Sequence, residues 1–314
     1  SFMLYAMYEA QRAMLAPWTY GAESLARMFS EPDSWLSAWP SASRVAAAAE
    51  LTYRIGKDYE KPAFGIHRAE VQGHDVAVLQ RVAVDKPFCR LLEFRRYADS
   101  SAAIKALDAA PTVLVVAPLS GHHATLLRDT VQTLLADHRV FITDWTDARM
   151  VPSDQGTFSL DDYIDYIREF ISHIGARDLH VLAVCQPTVP VMAAVSLMAS
   201  AGETTPRTLS LMGGPIDPSC SPTKVNNLAT TQPLSWFQRN VIAQVPRNYP
   251  GHGRLVYPGF LQHTGFVAMN PSHHMFSHWD FYQDLLRGDQ EDAATHRRFY
   301  DEYNATLHMA ATYY

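Results

Sequence analysis

The sequence predicts an α/β fold, a mostly parallel sheet covered by helices. Two observations carry this. Four short, continuous apolar runs, Thr112–Pro118 (TVLVVAP), Arg139–Asp144 (RVFITD), Leu179–Val184 (LHVLAV) and Thr208–Met212 (TLSLM), are separated by stretches of helical character. Unbroken apolar strands joined through helices belong to a parallel sheet with both faces buried. The second observation is the punctuation of the helix between the second and third runs. Ser159 and Asp162 stand in capping-box spacing at its start and Gly175 marks its end, with Ile164, Ile167, Ile171 and Ile174 as its buried stripe.

The elements follow in order. Met3 to about Pro62 is helical in character, with Met7, Met14, Leu25, Met28 and Phe29 at helical spacing and an Ala46–Ala49 run of high propensity. Pro17, Pro32, Pro40 and Pro62 divide it into short pieces. Its Met-rich apolar face suits a lipid or polymer surface, but packing against the protein's own core is the favoured expectation. From Asp75 to Tyr97, Val76, Val78, Val82 and Val84 share one parity and predict an antiparallel strand, with Cys89–Tyr97 as its hairpin partner. Helices are expected over Thr125–Ala136 and Pro187–Ala201, the latter stopped by Gly202.

After Asp217 the alternation stops. Prolines and aromatics dominate residues 218–310, and only Arg254–Tyr257 and Gly265–Met269 resemble strands. The expected organisation is therefore a helical N-terminal segment over 3–62 packed on the core, an α/β core over 75–217, and a helical lid or insertion over 218–314. Trp236, Phe237, Phe276, Trp279, Phe281 and Tyr282 give that last part either an apolar lid face or an ordinary helical core, the second being favoured for most of them.

Composition narrows the function. The 314 residues carry 26 Lys and Arg against 32 Asp and Glu, a formal charge of −6, and 47% are hydrophobic. That is too apolar for a disordered chain and lacks the basic excess of a nucleic-acid binder. Cys89, Cys185 and Cys220 form no CxxC pair, so neither a zinc site nor a disulfide framework is expected, and a reducing, cytoplasmic setting is. No apolar stretch is long enough to predict a transmembrane segment. His273, His274 and His278 lack the carboxylate of a metal motif such as HExxH, so no metal is expected, and no cofactor is called for.

Chemistry concentrates at Ala183-Val184-Cys185-Gln186-Pro187. Cys185 lies between the end of an apolar strand and the start of a helix, the position of a nucleophile elbow. Ala183 and Pro187 stand where small residues, usually glycines, flank such a bend; proline is tolerated in the first helical turn, where its missing N–H removes no helix bond. A helix N-terminus favours the thiolate, and the Gln186 N–H is placed to stabilise an oxyanion. The plainer reading makes Cys185 a small buried hydrophobe at a strand end. The loop after the Thr112 run reads Leu119-Ser120-Gly121-His122-His123, where a second oxyanion donor is expected, supplied by Ser120, Gly121 or His122. The two histidines also fit as exposed polar residues at the next helix start.

The opening MLYAMYEAQRAMLAPW, the APLSGHHATLLRDT loop and the VLAVCQPTVPVMAAVSLMA elbow together resemble the intracellular polyhydroxybutyrate (PHB) depolymerases of bacteria. The resemblance implies an α/β-hydrolase fold, a lid, cytoplasmic action on polyester storage granules, and Cys185 as nucleophile. It also implies a histidine base in a Gly-flanked C-terminal motif and an orienting acid. Neither is found here: Pro250-Gly251-His252-Gly253 is nearest in letters but wrongly placed. Two further strands bearing the triad acid and base are expected C-terminal to Tyr314, making the C-terminal strands of the fold absent from this chain. The expected function is hydrolysis of poly(3-hydroxybutyrate) through an acyl-enzyme, with the granule surface as partner and a homo-oligomer compatible with the sequence. The alternatives are a polyhydroxyalkanoate synthase-like acyltransferase, whose elbow carries glycines where this one has Gln186-Pro187, and a non-catalytic granule-binding protein.

Overall fold

The computed structural model describes residues 2–57, 59, 61–121, 123–269 and 271–313. In place of three consecutive segments, the chain forms two compact units, Ser1–Pro62 with Phe260–Ala305, and Ala63–Gly259 with Thr306–Tyr314. In chain order, α1 (Phe2–Ser30) and α2 (Ala42–Gly56) flank a 3-10 turn at Trp35–Ala38. Then come β1 (Arg68–Val71), β2 (His74–Asp85), β3 (Cys89–Tyr97), α3 (Ser101–Ala109), β4 (Thr112–Val116), α4 (His123–Leu134) and β5 (Arg139–Trp145). They are followed by α5 (Leu160–Ile174), β6 (Leu179–Val184), α6 (Thr188–Ser200) and β7 (Thr208–Met212). The remainder is α7 (Lys224–Thr231), α8 (Leu234–Asn240), β8 (Ala243–Gln244), β9 (Leu255–Tyr257), α9 (Gly259–Met269), α10 (Pro271–Arg287), α11 (Gln290–Tyr303) and β10 (Met309–Ala310).

The larger unit is built on a seven-stranded sheet of order β1-β2-β3-β5-β4-β6-β7. Strands β4 to β7 are mutually parallel, while β3 runs antiparallel to both β5 and β2. From β2 onward this order, with one reversed strand in second place, is the α/β-hydrolase arrangement. Pleating sends alternate side chains to opposite faces. Val113, Val115, Val140 and Ile142 meet Leu127, Val131 and Leu135 of the α4 region, whereas Leu114, Val116, Phe141 and Val181 meet Ile167 and Ile171 of α5 and Val191 of α6. Each fully buried aliphatic side chain is worth about 1.5–3 kcal/mol, so the double-faced packing of the sheet is its main source of stability. The capping box at Ser159 and Asp162 is formed, and Gly175 closes α5 at φ 102°. Described residues after Met212 add no strand to this sheet.

Several expectations change. Pro17 does not end a helix: α1 runs through it, because packing along α2 outweighs the local cost of a missing N–H. Met7, Met14, Leu25 and Met28 stand exposed, and α1 buries Tyr5 and Thr19 instead. Gly265–Met269 lies within α9; a short apolar run carries no period to distinguish strand from helix. Two short elements had no clear signal. Strand β1 is joined to β2 through Gln72 and Gly73, both at positive φ, a tight hairpin without the usual Asn-Gly letters. Helix α3 is short and alanine-rich, and Ser100 caps it by accepting the Ala103 N–H at 3.1 Å.

A three-stranded sheet, β10-β9-β8, completes the larger unit. Beside it lies the buried Arg254, whose guanidinium donates to the carbonyls of Ala148 (2.8 Å), Pro152 (2.8 Å), Gly156 (2.9 Å) and Val151. Its π-face lies 5.1 Å from the Phe88 ring. Burial lowers its pKa below the ordinary guanidinium value. Replacing it (Arg254→Met) strands several buried carbonyls at once, and a loss of about 3 kcal/mol or more in unfolding free energy is expected from urea titration.

In the smaller unit, Arg54 of α2 pairs with Asp301 of α11 at 2.6 Å, and Arg297 of α11 grips Glu50 of α2 at 2.5 and 2.8 Å. Phe281 is fully buried and Tyr282 half-buried, while Phe276 and Trp279 are exposed; in the other unit Trp236 and Phe237 are half-buried. His296 stacks 4.3 Å from Phe281 and 4.5 Å from Tyr300, with His278 5.5 Å away. Among the described residues, both ring nitrogens of His296 and Nδ1 of His263 and of His278 are buried without a hydrogen-bond partner. No described group of three or more His, Cys, Asp or Glu is arranged to hold a metal, and no described helix is long and apolar enough to cross a membrane.

Burial first, then His278 and Arg54, pushes the His296 pKa down to about 4; burial likewise lowers His263, His274 and His278. The unfolded chain therefore binds more protons than the folded one between the ordinary 6.5 and these lower values. Stability is full above the unfolded pKa and falls with pH below it. Urea midpoints measured by circular dichroism are expected to drop between about pH 7 and pH 5, and the drop to shrink in His296→Phe.

Candidate active site

Cys185 follows the last residue of β6, at the carboxyl edge of the parallel strands, with Pro187 and α6 immediately after. Its φ is 69°, a left-handed conformation rare outside glycine and characteristic of a strained strand-to-helix elbow. Three hydrogen bonds fix the bend. The Cys185 N–H donates to Met212 O of the neighbouring strand β7 at 2.7 Å. The Cys185 carbonyl accepts from the Thr188 N–H at 3.2 Å and from the Thr188 hydroxyl at 2.8 Å. Pro187 takes helical angles at the N-cap, where its lack of an N–H costs nothing. The space around Thr188 is filled by close approach of Gly214, where any Cβ would collide with the Thr188 side chain. The exposed Cys185 residue thus sits on a rigid mount, and the plainer reading of a buried hydrophobe does not hold.

Gln186 ties the elbow to the loop after β4. Its side-chain Oε1 accepts the Leu119 N–H at 3.0 Å, while its buried Nε2 has no hydrogen-bond partner among the described residues. The Gln186 main-chain N–H likewise donates to no described group. This side-chain bridge had no signal in the sequence, since glutamine at that position is equally compatible with a solvent-facing residue.

Ser120 and Gly121 lie in the same loop. Ser120 is buried and its carbonyl accepts the Leu307 N–H at 2.8 Å; the Gly121 N–H donates to Pro118 O at 3.1 Å. Gly121 adopts φ 83° and lies against Leu307 so closely that a Cβ would overlap the Leu307 side chain. The structure therefore brings Cys185, Gln186, Ser120 and Gly121 to one edge of the sheet; His122, expected as a further donor, lies outside the described residues.

A second feature was also missed. Asp147, in the loop after β5, faces His308 with Oδ1 3.6 Å from Nδ1, both residues largely buried. Burial raises the Asp147 pKa, but His308 and Arg149 outweigh it and hold the carboxyl below its ordinary value. The His308 carbonyl accepts the Ala148 N–H at 3.0 Å, so the segment Leu307–His308 stitches the loops after β4 and β5 together. Nothing in the sequence connects residues so far apart. Among the described residues no histidine is hydrogen-bonded to the Cys185 thiol.

Gly121→Ala is expected to distort this loop and destabilise the fold by about 1–3 kcal/mol. Leu307→Ala removes the colliding side chain, so the double variant should recover part of that loss while the positive-φ penalty remains. Urea unfolding reads both; an additive pair of defects refutes the contact as the cause.

Residues 213–314 match the family described as PHB de-polymerase C-terminus. Among curated proteins, none matches the chain. Solved structures similar to parts of it include an α/β-hydrolase enzyme from the metagenome of Lake Arreo, Spain, at 17% identity and TM-score 0.31, covering 71% of this chain and 63% of that protein. One of two fungal esterases from Rhizomucor miehei gives 13% identity and TM-score 0.33 over 65% of this chain and 61% of that protein. A hyperthermophilic esterase from the archaeon Pyrobaculum calidifontis gives 10% and 0.28 over 60% and 56%. The chain thus spans less than two thirds of the length of each. The fold assignment rests on the strand order and the elbow described above.

Proposed function

We propose that this chain, an α/β-hydrolase by its strand order whose residues 213–314 match the family described as PHB de-polymerase C-terminus, cleaves ester bonds of poly(3-hydroxybutyrate) through Cys185. The observation that carries the reading is the exposed cysteine at φ 69° between β6 and α6, since a strained turn of this kind is maintained where a nucleophile must project from the sheet. The family match supplies the substrate class.

Attack by the Cys185 thiolate on a 3-hydroxybutyrate carbonyl forms the S–C bond, and the negative charge moves to the carbonyl oxygen. The Gln186 N–H and the Ser120 N–H of the loop after β4 support that oxyanion. Collapse breaks the C–O bond, and the departing chain leaves as an alcohol carrying the proton given up by the thiol. Water then adds to the thioester, releasing the carboxylic acid and restoring Cys185. The acid and base that move these protons are not assigned to residues of this chain. The setting that accompanies this reading is a polyester granule in the cytoplasm.

Cys185→Ala is expected to abolish release of soluble 3-hydroxybutyrate from amorphous polymer, about 10³-fold or more. Intact-mass measurement after mixing with a p-nitrophenyl 3-hydroxybutyrate should place one acyl group on Cys185. An undiminished alanine variant overturns the reading, and chain growth from a hydroxyacyl thioester favours acyl transfer instead.

A further inference from the structure

Helix α1 faces the wrong way for a helix stabilised by its own apolar stripe. Met7, Met14, Trp18, Leu25 and Met28 recur at intervals of seven, four, seven and three residues and so share one face. Met14 is 76% exposed and Trp18 78%. The charged residues Glu9, Arg12, Glu23 and Arg27 lie roughly opposite, on the side that buries Tyr5 and Thr19. The aromatic surface continues beyond the helix. In the turn Trp35–Ala38, capped by Ser34, Leu36 is buried and holds Trp35 outward at 82% exposure, and Trp39, stacked on Phe29, is 64% exposed.

We infer that this Met–Trp face adsorbs the protein onto a solid aliphatic polyester, a step separate from ester cleavage. The inference rests on the reading of polyester as the substrate. Charge supports it first. The face has no Lys or Arg, Arg27 is paired with Glu23 at 2.6 Å, and Arg12 lies over the Tyr8 ring. An anionic lipid surface selects helices with a basic border, whereas a neutral polyester asks for none.

Hydrogen-bonding chemistry supports it next. A polyester surface offers ester oxygens and alkyl groups but no donor. Indole is a donor with a large apolar body, and thioether and leucine side chains conform to alkyl relief.

The seam argues against a second copy. Gln11 and Gly21 interrupt its heptads, and Pro17 lies in the helix beside it, so a coiled coil is disfavoured.

The test uses the full chain and a Trp18→Ser, Trp35→Ser, Met14→Ser variant, with Trp35→Ser alone as a milder form. Probes are amorphous poly(3-hydroxybutyrate) particles, phosphatidylglycerol vesicles and a soluble p-nitrophenyl ester. The triple variant should co-sediment with particles at least tenfold less, the single variant less severely, with thermal melts and Cys185 acylation by the soluble ester unchanged. Particle binding that is absent in the parent, or unaltered in the variants, overturns the inference. So does stronger binding of the parent to vesicles, or a change from dimer to monomer that accompanies the loss. If the parent binds particles through these residues yet Cys185 is never acylated, the catalytic reading fails while the adsorption surface stands.

Discussion

Strand β4 exposes almost none of its interior: Leu114, Val115 and Val116 are fully buried, and Ala117 beyond the strand is too. A strand in that condition needs cover on both faces and a hydrogen-bonded neighbour on both edges. Cover comes from α4 on one side and from α5 and α6 on the other, and the neighbours are β5 and β6. The carboxyl ends of β4 and β6 are thereby held side by side. The Ser120–Gly121 loop and Cys185 inherit their proximity from that pairing, and the Gln186 side chain locks the two turns with a single bond to the Leu119 N–H.

Buried polar groups on the sheet follow a stricter rule than the apolar ones. Glu93 is buried in β3 but pairs with Arg139 at 2.6 Å and with Arg81; burial alone raises its pKa, and the two guanidinium groups outweigh burial to lower it. Asp144, also buried, pairs with Arg90 at 2.5 Å. The arginines reach in from half-exposed positions, so the charges are neutralised without being fully desolvated. The Trp145 indole N–H closes the set by donating to Ala117 O at 2.8 Å.

What the sequence revealed follows from the range of the interactions involved. The four parallel strands were legible because continuous burial is written into each residue of TVLVVAP or LHVLAV, and the cap of α5 because Ser159 and Asp162 are three residues apart. Cys185 was legible because its signal is also local: a cysteine at a strand–helix junction beside a proline. Helix α9 was misread where five apolar letters serve either period. The face of α1 was misassigned because periodicity gives the existence of a stripe and not its direction; Met14 and Trp18 have the same letters inside or outside. Gln186 on Leu119 and Asp147 beside His308 depend on residues brought together only by the finished sheet.

Strand β7 carries two duties. Its inner row of peptide groups pairs with β6 and ends in the Met212 carbonyl that receives the Cys185 N–H; its outer row meets no strand among the described residues. Peptide groups along one strand move as a ribbon. Any chain that laid itself along the outer side of β7 would stiffen the same backbone that sets the pitch of Cys185, so extension of the sheet and aim of that side chain are a single mechanical variable in this protein.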